Sequence, residues 1–426
     1  MRNRVLLLGA VLLAIGGSAF AVSPAGASTT AASGLFGSHN FAGSSSAANG
    51  HARSAALPGN ITVVASGLNQ PKKLTIAPDG SLIVALSGDG QAPSSCTDGD
   101  QLSCLDRSGA IDEVSTSGRV TSLLSGLPSI SSGPKDPQAT GPVEARVVDG
   151  ELDVLFQNTV INAKTGKEIY GTAGSLLDDL VAYSHSERAS AVKARFGPFE
   201  ARHNPDHGAG TDITYGDDFA IDSDPYSFVP YRGGYAVADA GANDLLFVSR
   251  TGKVSVLAVF PTIRERAAAG TYGSAQKHAI EAQAQAVPTA VAVGPDGALY
   301  VGELGGIPFG VGKCDVYRVV PGHKPTVYAR GFTAIGDIAF DPEGRLLVLE
   351  LDRKGVNDPG LNDGHPASGA IIRIARDGEK TLLVSSGLDF PTGLVVARDG
   401  YAYVSADGTT SADSGHGGEI IRVKLG

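Results

Sequence analysis

Four carboxylates stand at closely matching distances from a glycine turn. Glu303 and Glu350 lie six residues after Gly297 and Gly344, Asp239 five after Gly234, and Asp407 seven after Gly400. If the intervening segments are strands of a repeated sheet, these side chains end the strands near a shared axis. Clustered carboxylate and carbonyl oxygens suit hard cations, Ca²⁺ above all. Asp239, Glu303, Glu350 and Asp407 are therefore the candidate metal ligands. The equivalent positions of two other repeats hold Leu86 and Phe156, so the set is incomplete. His203-Asn204-Pro205-Asp206-His207 has the look of a metal pair, but Pro205 breaks the i, i+4 helical geometry that such pairs use. No Gly-x-Ser-x-Gly elbow, Walker loop or dinucleotide fingerprint is present, and no residue is singled out as catalytic.

The elements that must carry these residues repeat along the chain. Pro71–Leu86, Pro225–Ala240, Pro288–Glu303 and Pro391–Ala406 align without gaps in their core, with Pro nine residues before a turn Gly. Ile338–Glu350 lacks the Pro, and a poorer copy centres on Asp149-Gly150. In each copy two Val/Ile/Leu/Tyr-rich runs flank Asp-Gly or a near equivalent, the signature of a β-hairpin. A second hairpin usually follows, so each unit is a four-stranded antiparallel sheet. Six units over about 370 residues predict an all-β, six-bladed propeller. The ends support closure: Ile61–Leu68 resembles a fourth strand without its first three, and the last copy stops after its third strand, Glu419–Leu425. The leading strand is expected to complete the last blade and hide its open edge. Between blades, helices are expected around Leu176–Tyr183, Glu187–Arg195 and within 263–286.

The start of the chain reads as an address. Arg2 and Arg4 precede an apolar run from Val5 to Ile15, then the small-residue sites Ala19-Phe20-Ala21 and Ala25-Gly26-Ala27. This is the order of a secretory signal, residues 1–27, cleaved after Ala27 or Ala21. The apolar run is short of the roughly 20 residues that cross a bilayer, and no membrane span is expected elsewhere. Residues 28–57 form a Ser/Ala/Gly-rich leader and 58–426 the propeller. The protein is expected to be secreted. Export favours a disulfide between Cys96 and Cys104 in a first-blade insertion, with Cys314 left as a buried strand thiol. A net charge of −10 argues against a nucleic-acid partner. The chain has no Trp, which disfavours the WD type of propeller.

The repeat resembles NHL-like propellers. Tyr235–Asn243, Asn204-Pro205-Asp206, Ile221–Tyr226, Glu303–Gly306 and Gly331–Thr333 together resemble the ScyD/ScyE family of secreted propellers, over roughly residues 58–426. Asp224 stands before Pro225 where that family's pattern has Asn. The resemblance implies the fold and export and leaves the reaction open. It favours a monomeric, non-catalytic binding or scaffold module that takes a small molecule, glycan or protein at the channel mouth. The alternative is a Ca²⁺-dependent hydrolase or lactonase of the gluconolactonase-like propeller type.

Overall fold

The computed structural model describes residues 57–97, 104–131, 138–158, 161–162, 167–168, 170–172, 174–184, 189–208, 221–269, 277–357, 367–408 and 417–425. The expected signal peptide, its expected cleavage sites Ala21 and Ala27, and nearly all of the expected leader lie outside these residues.

Six four-stranded meanders follow one another around a ring. Blade 1 is β2 (Pro71–Ile76), β3 (Leu82–Leu86), β4 (Leu105–Val114) and β5 (Val120–Ser131), with the two-residue β6 (Ala139–Thr140) added outside. Blade 2 is β7 (Pro142–Val148), β8 (Glu151–Phe156), β11 (Asp179–Tyr183) and β12 (Ala189–Arg195); the short pair β9 (Ile161–Asn162) and β10 (Lys167–Glu168) lies between. Blade 3 is β13 (Pro225–Tyr231), β14 (Gly234–Asp239), β15 (Asp244–Val248) and β16 (Val254–Val259). Blade 4 is β19 (Pro288–Val293), β20 (Leu299–Glu303), β21 (Cys314–Val319) and β22 (Thr326–Phe332). Blade 5 is β23 (Ile335–Phe340), β24 (Leu346–Glu350), β25 (Ala370–Ile374) and β26 (Lys380–Val384). Blade 6 takes β27 (Gly393–Val396), β28 (Tyr401–Ala406) and β29 (Gly418–Lys424) from the end of the chain and β1 (Ile61–Leu68) from its start. Ile61 faces Val423 and Leu68 faces Gly418 across that closing antiparallel pair.

Strand alternation builds the seams between blades. Along β3, Val84 joins the cluster with Tyr403 and Ile420 of blade 6, whereas Ile83 and Ala85 join Val154, Phe156 and Val181 of blade 2. Equivalent clusters join Leu245 to Leu299 and Val301, Val316 to Ile338 and Val348, and Leu349 to Val404 and Ile421. Both faces of every sheet are therefore covered.

Three expected helices are strands or hairpins instead. The segment around Leu176–Tyr183 forms β11, and the one ending at Arg195 forms β12, so together they are blade 2's outer hairpin. Within 263–286, β17 (Ile263–Ala267) pairs with β18 (Ile280–Ala284). The Ala, Arg and Glu content there suits a helix, but burial alternates: Glu265 and Ala267 are inside, Arg264 and Arg266 outside. Among the described residues the one α-helix is α1 (Gly197–His203), with Pro at its first turn and Asn204 left-handed at its C-cap. Cys96 and Cys104 are joined as a disulfide, and Cys314 is a buried free thiol. No helix among the described residues is long and apolar enough to cross a membrane.

Two measurements check this closure. Deleting residues 57–68 exposes the edge of β29 and is expected to abolish cooperative thermal unfolding and a monomeric elution volume. Ile61→Ala, on a side chain only 6% exposed, is expected to cost about 2–4 kcal/mol in denaturant titration. An unchanged midpoint in both would mean that the ring does not rest on this strand.

Candidate functional site

The meander topology sends all long connections to one mouth. Each blade's second-to-third link and each link to the next blade leave from the end where Pro71, Pro142, Pro225, Pro288 and Ile335 stand; the Asp-Gly-type turns lie at the other end. Asp239, Glu303 and Glu350 end their strands at this mouth, opposite Pro225, Pro288 and Ile335. Leu86 and Phe156 occupy the same register, opposite Pro71 and Pro142. Asp407 follows β28 in a left-handed conformation, and its N–H donates to Asp389 O at 2.6 Å.

Each of the three in-register carboxylates is committed to its own neighbourhood. Asp239 Oδ1 accepts from Asp224 N (2.7 Å) and Ala242 N (3.2 Å), and its Oδ2 lies 2.8 Å from Ser223 Oγ. Glu303 Oε2 accepts from Asp315 N at 3.1 Å, and Glu350 Oε1 from Thr333 N at 2.7 Å. Burial pushes the Glu303 carboxyl up to about 8 and raises that of Glu350. Among the described residues, no three His, Cys, Asp or Glu side chains already surround one ion-sized point. In the 203–207 motif, His203 Nδ1 lies 2.9 Å from Phe199 O and its ring stacks on Phe199, while Asp206 Oδ2 accepts from Asn243 Nδ2.

Two residues absent from the sequence reading dominate the axis. Lys73, on β2, reaches Asp337 Oδ1 (3.0 Å) and Gly336 O (2.5 Å) on β23, and lies 5.5 Å from the Tyr226 ring on β13. These three inner strands belong to blades 1, 5 and 3, so a group touching all of them reaches across the ring axis. Asp337 is saturated: it also accepts from Ile338 N and Leu394 N. Lys72 is fully buried beside it, donating to Gly408 O at 3.0 Å. Burial lowers its ammonium to about 8, and Asp224 across the channel partly restores it.

A second missed feature is an acidic nest at the same mouth, where blade 2 hands over to blade 3. Asp178, Glu200, Asp224, Asp239 and Asp244 are at most 2% exposed, with Asp206 and Asp222 beside them. Ser223 Oγ lies 2.7 Å from Asp178 Oδ1 as well as 2.8 Å from Asp239 Oδ2. One hydroxyl has one proton to give, so without a cation one of these carboxyls must carry its own. Burial and mutual repulsion push Asp178, Asp224 and Asp244 far above the carboxylate range, and Glu200 up to about 9. Asp239, with its hydrogen bonds, rises only to about 6. Gly241 lets the chain pass close by: a Cβ there would stand 3.0 Å from Asp222 Cγ and 2.9 Å from Asp224 N. Isolated acids in loops carry no sequence signature, and only the fold brings these together.

No family model and no curated protein matches the sequence. Solved structures similar to it include regucalcin from Agrobacterium tumefaciens (12% identity, 85% of this chain, 92% of that one, TM-score 0.46). A gluconolactonase from Xanthomonas campestris is 9% identical over 86% of this chain and 89% of its own, with TM-score 0.46. Virginiamycin B lyase from Staphylococcus aureus is 11% identical over 86% and 99%, with TM-score 0.43.

Swapping the axial cations gives distinct outcomes. Asp337→Ala strands Lys73 and the Leu394 N–H in the interior and is expected to cost about 3–5 kcal/mol. Lys73→Met is expected to cost less, because Asp337 keeps two N–H donors. For Lys72 the folded value lies below the unfolded 10.5, so the wild-type chain is penalised below pH 8 and recovers as pH rises towards 10.5. The stability of Lys72→Met relative to wild type should therefore fall by about 3 kcal/mol between pH 7 and pH 10.5, read by urea titration. A flat difference would mean that Lys72 is not desolvated.

Proposed function

We propose that this chain is an exported propeller of the ScyD/ScyE type that works as a monomeric, non-catalytic binding or scaffold module. Its ligand, a small molecule, glycan or protein surface, sits at the loop-bearing mouth. One observation carries this reading: every long connection leaves from a single mouth, on a closed ring whose axis is crossed by the Lys73–Asp337 ion pair. Loops on a rigid scaffold are where recognition residues concentrate. Asp239, Glu303 and Glu350 support the reading too, because each accepts a backbone N–H of a mouth loop through one oxygen, while Glu303 Oε1 meets none.

In this reading residues 1–27 direct export, 28–57 are a leader and 58–426 bind. The mature N-terminus in culture medium is expected at Ser28, or at Val22 if cleavage follows Ala21; a protein retained in the cell with Met1 intact would remove the export half. The binding half is tested on the mature chain with gluconolactone in millimolar Ca²⁺ and with an oligosaccharide panel. The expected result is no turnover above buffer, with hydrogen-exchange protection by a bound glycan confined to connections such as 304–313 and 351–357. Lactone hydrolysis that disappears in Asp239→Asn and Glu303→Gln would replace this reading with the metal-dependent hydrolase.

A further inference from the structure

Among the described residues, the nest between blades 2 and 3 holds buried carboxyl oxygens that no donor meets. Asp244, fully buried at the start of β15, has no hydrogen-bond partner on either carboxylate oxygen. Glu200 Oε2 on α1, 2% exposed, has none either. Each of these acids feels the other's neighbourhood: Asp244 is repelled by Asp239, Glu200 and Asp206, and Glu200 by Asp239, Asp206 and Asp222. The backbone brings them to one neighbourhood: Asp244 stands opposite Asp239 across β14 and β15, and Asn243 beside it is bonded to Asp206. A buried carboxyl oxygen without a donor is destabilising, and more so if charged. Native chains do not normally keep three such oxygens together. Their positions on the chain are also informative. Asp244 follows the β14–β15 turn, Asp222 lies against Gly241 of that turn, and Asp206 is bonded to Asn243 of it. Glu200 comes from α1, in the long link that leads into blade 3.

We propose that this nest binds one hard divalent cation of the calcium class, with Asp244 and Glu200 as its principal ligands and Asp222 beside them; Asp206, whose two oxygens accept from Gly208 N and Asn243 Nδ2, stays a structural neighbour. The cation fastens α1 and the 221–224 segment to the β14–β15 turn and so locks the seam between blades 2 and 3. Oxygen-only donors at a flexible spacing suit Ca²⁺ rather than Zn²⁺, which takes His and Cys. No three of these side chains yet converge on one point. Binding must draw them inward by rotation about side-chain bonds, which the unpartnered oxygens of Asp244 and Glu200 leave free. The site is separate from the axial set: Glu303 and Glu350 bond to Asp315 and Thr333 in blades 4 and 5 and contribute nothing to it. It does not rest on the binding function proposed above, since its role is to hold the fold.

The test uses the mature chain stripped with chelator and titrated with CaCl2 alone, by calorimetry and thermal melting. One Ca²⁺ per chain is expected, with a dissociation constant on the order of 10⁻⁶–10⁻³ M and a raised melting temperature. Asp244→Asn is expected to weaken Ca²⁺ at least tenfold, while melting no lower than stripped wild type because it removes an unpaired charge. Glu200→Gln should weaken it similarly, and Glu303→Gln should leave it unchanged. Neither heat nor thermal shift with millimolar Ca²⁺ on the wild-type chain overturns the proposal, whatever the variants do. So does wild-type affinity in a folded Asp244→Asn, or loss of binding in Glu303→Gln, which would put the ion at the axis.

Discussion

Closure of the ring by β1 against β29 is the constraint on which the other contacts depend. A propeller sheet is apolar on both faces, and only a complete circle gives every face a partner. Without β1, blade 6 would end on β29 with a row of unpaired N–H and C=O groups and an uncovered Ile421. With it, the chain's first and last strands become neighbours, and opening the ring must break a full ladder rather than peel a terminus.

Within the closed ring, the inner strands are tied to one another by a belt of polar bonds. Thr75 donates to Ala145 O, Glu144 accepts from Phe228 N, and Ser227 Oγ accepts from Val291 N. Thr289 donates to Ile335 O, Asp337 accepts from Leu394 N, and Thr392 donates to Pro71 O. Every adjacent pair of blades is bridged at least once around the axis. Each bond is worth only about 1 kcal/mol net. Their common effect is to fix the angle of each blade against the next, which apolar packing alone leaves loose. Lys73 acts across the ring where the belt acts around it, joining alternate blades at the centre. That arrangement explains how two adjacent lysines can be buried: one has a carboxylate saturated on all other sides, and the other trades part of its basicity for a carbonyl.

The period of the architecture was legible because it lives in local chemistry. Pro at the head of an inner strand and Asp-Gly between two apolar runs are short-range signals, and Pro71, Pro225 and Pro288 with Gly80 and Gly297 stand where those signals place them; in blade 3 the turn falls one residue earlier, on Arg232-Gly233, and Gly234 opens β14. The orphan first strand was legible for the same reason. Arg264-Glu265-Arg266-Ala267 was misread because its composition favours a helix; Glu265 and Ala267 face inward and Arg264 and Arg266 outward only once β18 lies alongside. Blade 2's outer hairpin has no Asp-Gly between β11 and β12, so no local signal in the sequence marks it as a hairpin. The candidate carboxylates were half legible. Their shared register is in the sequence, but whether Glu303 meets an ion or Asp315 N depends on how β21 returns, which no spacing encodes.

The belt and the acidic nest together show how one protein treats its six seams unequally. Where one blade steps directly to the next, as from β22 to β23, a capping carboxylate such as Glu350 finds a backbone N–H two residues from the new strand and is satisfied. Between β12 and β13 the chain instead runs through α1 and on to Asp222 before blade 3 begins, and the turn carboxylates there meet other carboxylates. Asp239 takes N–H groups at Asp224 and Ala242, and among the described residues both oxygens of Asp244 and Oε2 of Glu200 meet no donor. The insertion thus gives this seam a concentration of buried carboxyls that the directly linked seams lack. Apolar packing of Leu180, Phe228 and Leu246 still holds the two blades together beneath it. The electrostatics therefore decide how firmly the insertion is fastened over that core, not whether the ring forms.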